Sequence, residues 1–423
     1  MNTHPIRSLT GTALLASALL FTGCDSDSNV SGPDNGGDRT ISGFVTDDAS
    51  AGKTAGDIEG AVVTAAEINA QGRLDAAAGE ATTDASGRYV LRTSADADWV
   101  VVTANKGNFE SSVLVDAESS SNVGAMTMNT ETHAEAEVYV ESRRQSQDDV
   151  TAADVAAYVN AEVAARVEAG AESASRIAVA IGDAVRAERE YAEEEEGLDD
   201  DDFRDAREED EQAYRSYQAS LSSKVSASVA ASARQALETS VATSHVRAGA
   251  DATAQAKAAG AAKTAMKSFS ASMDSQTRFH LRKNAELMAA IASGSAIESE
   301  FRSQGSSRTT AVVQLATNLQ TRIRAASSES AITEAWADFR SGIKTEVAAE
   351  LSLSETVVEA ALTSAAGAEA TLLTQLLAAT TVDAVVNAKA AYYAAAQSSI
   401  QSVLSASANA DFGAKVLVLA SGN

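Results

Sequence analysis

The sequence predicts a multidomain protein in which an N-terminal antiparallel β-sandwich is followed by a long, alanine-rich, mainly antiparallel α-helical bundle. In residues 39–130, apolar residues alternate with polar ones between turn residues, which is the pattern of half-buried strands. In residues 135–423, apolar residues recur about every fourth position, alanine is abundant and proline is absent. Alanine favours helices most and proline least, so this part is expected to be helical.

The N-terminus has the pattern of an export signal. Arg7 supplies positive charge, and residues 9–21 form an apolar run that is too short to span a bilayer. The run continues into Leu19-Leu20-Phe21-Thr22-Gly23-Cys24, which resembles the lipobox of a bacterial lipoprotein signal. The resemblance implies that residues 1–23 are a signal peptide that is removed, and that lipid is attached to the sulfur of Cys24.

Cys24 is the only cysteine of the chain, so it cannot form a disulfide within it. This favours lipid attachment, and an ordinary secreted protein with an unpaired thiol is the alternative. Residues 24–38 are predicted to be a lipidated, flexible tether, because the positions after Cys24 are rich in Asp, Ser, Asn and Gly. The expected location is the bacterial cell envelope, with the outer membrane or cell surface favoured over the inner membrane.

Several strands are predicted within residues 39–130. Ile41, Gly43 and Val45 alternate with polar neighbours, and the valine-rich runs at 100–102 and 113–115 are typical of buried strands. The intervening residues 66–81 are predicted to be a long loop.

Residues 82–89 include the element Thr83-Asp84-x-x-Gly87-x-Tyr89. Asp84 can accept hydrogen bonds from turn amides, Gly87 can adopt the positive φ that closes the turn, and Tyr89 can return to the core. Together with residues 41–45, 58–63 and 102–109, this element resembles the carboxypeptidase regulatory-like domain. The resemblance implies a transthyretin-like β-sandwich that is a non-catalytic accessory module.

That fold is related to carbohydrate-binding sandwiches, so sugar binding is considered. Sugar platforms present exposed aromatic rings, and Trp99, which lies between Asp98 and Val100, is the one candidate ligand contact. Packing in the core or at its rim is the favoured interpretation of Trp99.

Apolar stripes and capping signals predict the helices. Valines recur every fourth residue from position 155, which favours an elongated antiparallel bundle over a parallel coiled coil. Thr151 followed by Asp154, and Ser352 followed by Glu355, have the spacing of capping boxes and predict helix starts.

Helix breaks are predicted near glycines, because glycine is a poor helix former. The glycines in question are Gly197, Gly249, Gly294, Gly305 and Gly367. The small-residue stretches at 254–265 and 388–396 are predicted to be tight helix–helix seams rather than membrane spans, because both contain lysine.

The chain is strongly acidic, with a formal net charge of −26. An acidic protein repels phosphates, so nucleic acid is excluded as an expected partner. Residues 188–211 are the densest acidic tract and are predicted to be a solvated tip between two helices. A contact with cations or with a basic partner is the alternative, and the sequence leaves it open.

No motif in the sequence indicates a reaction. His133, His245 and His280 do not form a His-Glu-x-x-His pair, and no second cysteine exists for a zinc site. The nucleophile elbow and the glycine-rich phosphate loops do not occur. We therefore expect no enzyme activity, no catalytic residue, no cofactor and no metal.

The predicted function is that of a lipid-anchored envelope protein with a structural or partner-binding role, in which tether and sandwich hold the bundle off the membrane. The expected partners are the membrane, through the N-terminal lipid, and another envelope protein or a polysaccharide. The alternative is a surface glycan-binding lipoprotein that uses the sandwich as its carbohydrate platform. The sequence does not indicate an oligomeric state.

Overall fold

A computed structural model describes the fold of most of the chain. The predicted fold class is confirmed: β-sheets between residues 39 and 124 precede helices that begin at residue 130. The predicted signal peptide, the tether and Cys24 lie outside the described residues. The described residues are 39–47, 56–69, 71–95, 97–118, 120–244 and 251–421.

The strands are β1 Arg39–Phe44, β2 Thr46–Asp47, β3 Gly56–Asp57, β4 Val62–Ile68, β5 Leu74–Thr82, β6 Arg88–Thr93, β7 Trp99–Lys106, β8 Phe109–Asp116 and β9 Asn122–Gly124. A four-stranded sheet has the order β5-β4-β7-β8 and is antiparallel throughout. A three-stranded sheet has the order β6-β1-β9, in which β1 is antiparallel to β6 but parallel to β9. The sandwich is therefore mostly, not wholly, antiparallel.

The turn before β6 has the geometry that its sequence predicts. Asp84 Oδ1 accepts hydrogen bonds from the backbone N–H groups of Ser86 (2.8 Å) and Arg88 (3.0 Å). Gly87 has a φ of +71°, which glycine adopts without steric cost. Tyr89 returns into the core and is 1% exposed. The roles predicted for Asp84, Gly87 and Tyr89 are confirmed.

The long loop predicted for residues 66–81 is wrong, because β4 and β5 form a hairpin there. Its tight turn is held by Asn69, whose Oδ1 accepts hydrogen bonds from the N–H groups of Gln71 and Arg73, both at 3.0 Å. β5 is an edge strand whose side chains are mostly exposed. A strand that buries so few side chains carries no apolar alternation for the sequence to reveal.

The helices are α1 Thr130–Arg144, α2 Ala152–Tyr158, α3 Ala161–Glu168, α4 Ala174–Glu196, α5 Asp200–Ser220, α6 Ala227–Val241, α7 Ala252–Phe269, α8 Ser275–Ser303, α9 Thr309–Ala325, α10 Glu329–Glu350, α11 Glu355–Ser364, α12 Ala366–Ala378, α13 Val382–Leu404 and α14 Ala410–Ala420.

The two predicted helix starts have different outcomes. Thr151 caps α2 as predicted: its hydroxyl accepts from the N–H of Asp154 (3.1 Å), and the Asp154 carboxylate accepts from the N–H of Thr151 (2.9 Å). The start predicted at Ser352 is wrong, because Ser352 has a φ of 55° and α11 begins after Ser354. An N-cap residue is extended, and a left-handed residue does not meet that requirement.

Helix breaks are confirmed near three of the predicted glycines, Gly197, Gly305 and Gly367, and wrong at a fourth. Gly197 ends α4 with a φ of 70°, and Gly305 follows α8 with a φ of 67°. Gly294 lies inside α8, where a Cβ would come within 2.8 Å of Ala316 Cβ on α9. It permits close helix contact rather than ending the helix. Gly367 falls at the start of α12, and Gly249 lies outside the described residues.

Consecutive helices run antiparallel where they pack. Near the start of α7, Thr253 donates a hydrogen bond to Glu300 of α8 (3.1 Å), whereas Lys263, further along, lies 3.5 Å from Glu286. The residue number of the partner on α8 falls as the residue number on α7 rises, which is the order of an antiparallel pair. The pairs that join α9 to α10 and α10 to α11 have the same order.

α7 is central to the helical part, and its residues from Thr253 to Met266 are all buried except Lys257. It packs against α4, α8, α13 and α14. A Cβ at Gly260 would lie 2.1 Å from the hydroxyl oxygen of Tyr393 on α13, so only glycine fits there without rearrangement. The seam predicted for residues 254–265 is confirmed.

The sandwich and the helices share one core. Val113, Leu114 and Val115 of β8 are all buried, so both faces of this strand are covered. One face lies within the sandwich and the other meets the helices: α1 packs on β8, and Tyr214 of α5 donates a hydrogen bond to the Leu114 carbonyl (3.1 Å). The described residues accordingly belong to one compact unit.

Candidate functional site

The sequence indicates two candidate functional side chains, Cys24 and Trp99, and the structure describes only Trp99. Cys24 lies outside the described residues. Trp99 begins β7 and is half-buried, with its ring centroid 5.4 Å from that of Tyr139 and 5.6 Å from that of Tyr214. These tyrosines belong to α1 and α5, so Trp99 packs between the sheet and the helices. A ring packed in this way has little free face for stacking on a sugar.

Polar side chains of α5 fasten the sandwich to the helices. Gln218 accepts a hydrogen bond from the N–H of Asp116 (2.9 Å) and donates one to the carbonyl of Gly124 (3.1 Å). Arg215 Nε donates to the Asp116 carboxylate (2.9 Å). Burial raises the pKa of Asp116, although Arg215 opposes the shift. We call Asp116, Arg215 and Gln218 the sandwich–helix contact. Its hydrogen bonds satisfy polar groups at the ends of β8 and β9.

A groove of about 460 Å³ opens at the end of the sandwich beside α6. Its walls combine apolar and polar side chains from the sandwich, the helices and the connection between α5 and α6. They include Met126, Asn129, Glu131, Tyr217, Leu221, Lys224, Val225 and Arg234. Lys224 is engaged at the rim, where it pairs with Asp57.

Arg234 of α6 ties three parts of the helical region together. Its guanidinium donates to the carboxylates of Glu131 and Glu135, to the hydroxyl of Tyr217 (2.9 Å) and to the carbonyl of Ala156. Glu135 is 2% exposed, and burial raises its pKa to about 8 although Arg234 opposes the shift. We call Arg234, Glu131, Glu135 and Tyr217 the arginine centre.

A small cavity of about 40 Å³ lies between α4 and α5, with room for about one water molecule. Four carboxylates line it: Asp149, Asp154, Glu188 and Asp210. Asp210 is 7% exposed, and its Oδ1 has no hydrogen-bond partner within the described part of the chain. Burial raises the pKa of Asp210 well above its usual value, and the charges of Asp154 and Glu188 raise it further.

Asp210→Asn is expected to increase stability at neutral pH. A raised pKa in the folded state means that the wild-type protein loses stability as the pH rises above the ordinary carboxyl pKa, because the unfolded chain ionises first. Asparagine is uncharged and its amide can donate towards the neighbouring carboxylates. The urea midpoint of the variant should be higher than that of wild type at pH 7 and equal to it near pH 3.

The matched control is Asp205→Asn on the same helix, where the side chain is 63% exposed. It should leave the urea midpoint at pH 7 close to that of wild type. If Asp210→Asn lowers the midpoint at pH 7, the Asp210 side chain is ionised in the folded protein and the cavity assignment is wrong.

A second buried charge cluster joins α7, α8 and α10. The carboxylate of Glu286 lies 3.5 Å from Lys263 Nζ and 3.2 Å from Lys267 Nζ, and it accepts a hydrogen bond from Trp336 Nε1 (2.8 Å). Burial would raise the pKa of Glu286, but the two lysines outweigh burial and lower it. We call Glu286, Lys263, Lys267 and Trp336 the glutamate centre.

Lys389 of α13 lies near the glutamate centre and is fully buried. Its ammonium position is 4.5 Å from the ring centroid of Tyr393 and 5.3 Å from that of Tyr392. Burial lowers the pKa of Lys389 well below its usual value, and the charge of Lys263 lowers it further. The buried amine therefore packs against the rings of two tyrosines of its own helix.

The acidic tract at 188–211 covers the end of α4, a short turn and the start of α5. Arg189 pairs with Asp149, with Glu193 (2.8 Å) and with Asp200 (3.0 Å), so part of the acidic charge is neutralised locally. The two helices that the prediction places around the tract are present, but the tract is not solvated throughout, because Asp210 is 7% exposed and lies in helix packing. Within the described ranges, no group of three or more His, Cys, Asp or Glu side chains is arranged to hold a metal ion.

The histidines inside the described ranges lie beside single carboxylates. His133 is 3.7 Å from Glu137, one turn along α1, and His280 is 3.2 Å from Glu162. Burial lowers the pKa of His280, while Glu162 opposes the shift. His245 lies outside the described residues. Among the helices that can be described, none combines the length and apolar character of a bilayer span.

Comparison of the chain with protein-family models, with curated proteins and with solved structures found no match. The resemblances to a lipobox and to the carboxypeptidase regulatory-like domain therefore stay predictions.

Sequence reasoning missed Arg234, Asp210 and Glu286. Their partners lie far away in the chain, as in the pair of Arg234 with Glu135, 99 positions apart. A charged residue inside an apolar or small-residue stretch, such as Lys263, is the one signal that could have indicated buried charge. That signal does not identify the partner.

Proposed function

We propose that this protein is a lipid-anchored component of a bacterial cell envelope, without a catalytic role, whose sandwich and helices form a structural or partner-binding body. The observation that carries the proposal is the sequence Leu19-Leu20-Phe21-Thr22-Gly23-Cys24, which places the only cysteine of the chain directly after an apolar run. Lipid on the Cys24 sulfur would anchor the protein without a membrane-spanning segment.

The geometry of the body supports a stand-off role. The first strand begins at Arg39, so residues 25–38 separate the anchor from the fold. Fourteen extended residues reach at most about 50 Å. The sandwich–helix contact of Asp116, Arg215 and Gln218 fixes the helices relative to the sandwich. The tether therefore holds sandwich and helices as one body, not as two loosely joined domains.

The placement of the unusual ionisable groups supports a non-catalytic role. Glu135, Asp210 and Glu286 are 2%, 7% and 3% exposed and lie within helix packing. Catalytic groups with shifted pKa values instead face a cleft that admits substrate. These three carboxylates therefore suit the maintenance of helix positions better than chemistry on a ligand.

Cys24→Ser is expected to release the protein from the membrane fraction. A serine hydroxyl does not accept the lipid that a lipobox cysteine thiol receives, so more than about nine-tenths of the variant should leave the membrane pellet in a bacterial host. Membrane fractionation with detection of this chain checks the result. Circular dichroism should be unchanged, because Cys24 precedes the first strand.

Ser26→Ala is the matched control, since it changes a tether residue two positions away and leaves the thiol in place. It should remain in the membrane pellet. Retention of Cys24→Ser in the pellet would mean that another element holds the protein to the membrane, and the anchor proposal would be wrong.

A further inference from the structure

α12 presents an apolar surface that the described parts of the chain do not cover. Leu377 is 82% exposed and Leu373 is 62% exposed. The other large apolar side chains on the described surface are less open, with Val229 at 46%. Leu373 and Leu377 are four residues apart, so they lie one above the other on the same helix face.

The inner face of α12 is firmly seated. Leu372 is buried, Leu376 is partly buried against the core, and α12 packs on α13. The exposed leucines are therefore presented on a fixed helix. Ala370 and Thr374 are exposed beside them, and such small side chains leave space for leucines from an opposing helix.

The charge around α12 indicates what can cover it. The chain has a net charge of −26, yet residues 364–382 contain one charged residue, Glu369. Residues 212–423, which include α12, hold 18 Lys and Arg and 16 Asp and Glu, so two copies do not repel one another through this part of the chain as they do through the acidic part before it. Glu369 lies one turn before Leu373 on the same helix face, so the face is apolar with one acid at its edge. Such a face complements an equally apolar face better than a strongly basic or acidic one.

A lipid surface is a poorer occupant of the same face. Helices that lie on membranes carry Lys or Arg on their polar side, which attract anionic lipids. Residues 351–383 contain no Lys or Arg and four acids, Glu355, Glu359, Glu369 and Asp383. An anionic bilayer would repel this region.

We propose that α12 is a self-association surface, on which Leu373 and Leu377 of one copy pack against the same leucines of a second copy. The contact is isologous, because both copies contribute the same residues. α12 has 13 residues and is about 20 Å long, so the interface is at the small end of specific ones and the expected dissociation constant is micromolar. The proposal goes beyond the lipid anchor and does not require it.

Sedimentation equilibrium of the Cys24→Ser protein, from about 1 to about 100 μM, tests the proposal. We expect the Cys24→Ser protein to show a monomer–dimer equilibrium. In the double variant Cys24→Ser and Leu377→Glu, the dissociation constant should be at least about tenfold higher. At 82% exposure this position tolerates glutamate without loss of the fold, which circular dichroism checks. Val313→Glu on α9, where valine is 38% exposed, is the matched control and should leave dimerisation unchanged.

Disulfide trapping gives an independent readout. With Cys24 replaced, the chain has no other cysteine, so Leu377→Cys introduces one thiol at the centre of the surface. Mild oxidation should give a linked dimer, whereas Val313→Cys should give little. A Leu377→Cys thiol that stays monomeric while the sedimentation data show dimers would assign dimerisation to another face and overturn the proposal.

The remaining outcomes are equally decisive. A monomer at every concentration, or a dimer that Leu377→Glu leaves intact, overturns the proposal. Co-sedimentation of the Cys24→Ser protein with phosphatidylethanolamine–phosphatidylglycerol vesicles, if Leu377→Glu abolishes it, would assign the face to lipid instead. None of these results depends on lipid attachment at Cys24, so failure of this proposal and failure of the anchor proposal are distinguishable.

Discussion

Glu286→Ala is expected to lower the free energy of unfolding by about 3–5 kcal/mol. Glu286 is the only acidic member of the glutamate centre, and its removal leaves Lys263, which is 3% exposed, without its carboxylate partner in helix packing. Trp336 Nε1 loses its acceptor as well. An uncompensated buried charge costs more than the pair contributes, because desolvation is no longer offset. Urea unfolding followed by circular dichroism measures the change.

Glu298→Ala on the same helix is the control. Glu298 pairs with Arg302, which is 72% exposed, and an exposed pair one turn apart contributes less than about 1 kcal/mol. The double variant Glu286→Met and Lys263→Met should recover a large part of the loss, because both charges are removed together. If Glu286→Ala and Glu298→Ala had equal effects, the glutamate centre would not stabilise the bundle.

Arg234→Met is the second large effect, with an expected loss of about 3 kcal/mol. The arginine centre would lose its cation, and Glu131, Glu135, Tyr217 and the Ala156 carbonyl would lose their donor. Methionine keeps most of the side-chain volume, so the loss reports charge and hydrogen bonding rather than a cavity. Urea unfolding at pH 7 measures the change.

Arg322→Met is the control for this variant. Arg322 pairs with Asp338 on the surface and is 41% exposed, so its replacement should change stability by less than about 1 kcal/mol. An Arg234→Met protein as stable as the control would mean that solvent, rather than the arginine, satisfies Glu131 and Glu135.

The two charge centres have a physical use in an alanine-rich bundle. Alanine seams such as residues 254–265 offer nearly the same surface at each turn, so apolar packing alone sets the helix register weakly. Glu286 and Arg234 each bond to several partners on different helices, and a shift of one helix by a turn would separate these partners by about 5 Å. We infer that the charges fix helix positions that the alanines leave undetermined.

Most of the sandwich could be predicted because its strands bury one face and its turn residues have single roles. Asp84, Gly87 and Tyr89 act as their types require at a tight turn. β5 could not be found, because an exposed edge strand is held by backbone pairing with β4 and needs no apolar pattern. The part of the cover on β8 that α5 provides was also not predictable, since Tyr214 lies 100 positions after Leu114.

In the helical part, local signals predicted local features only. Thr151 satisfies an N–H group within its own turn, so its cap was evident from the sequence. Gly294 looks the same in sequence as Gly197, and only the approach of Ala316 distinguishes a packing glycine from a terminating one. The candidate site has the same limit, because Trp99 was evident as an aromatic residue but Tyr139 and Tyr214 were not evident as its cover.

Lipid attachment at Cys24 is tested most directly by mass spectrometry of the N-terminal peptide of protein extracted from membranes. We predict that Cys24 is the first residue and that its mass is increased by an attached diacylglyceryl group. An N-terminus at any other residue, or an unmodified Cys24 in membrane-extracted protein, would contradict the proposed anchor.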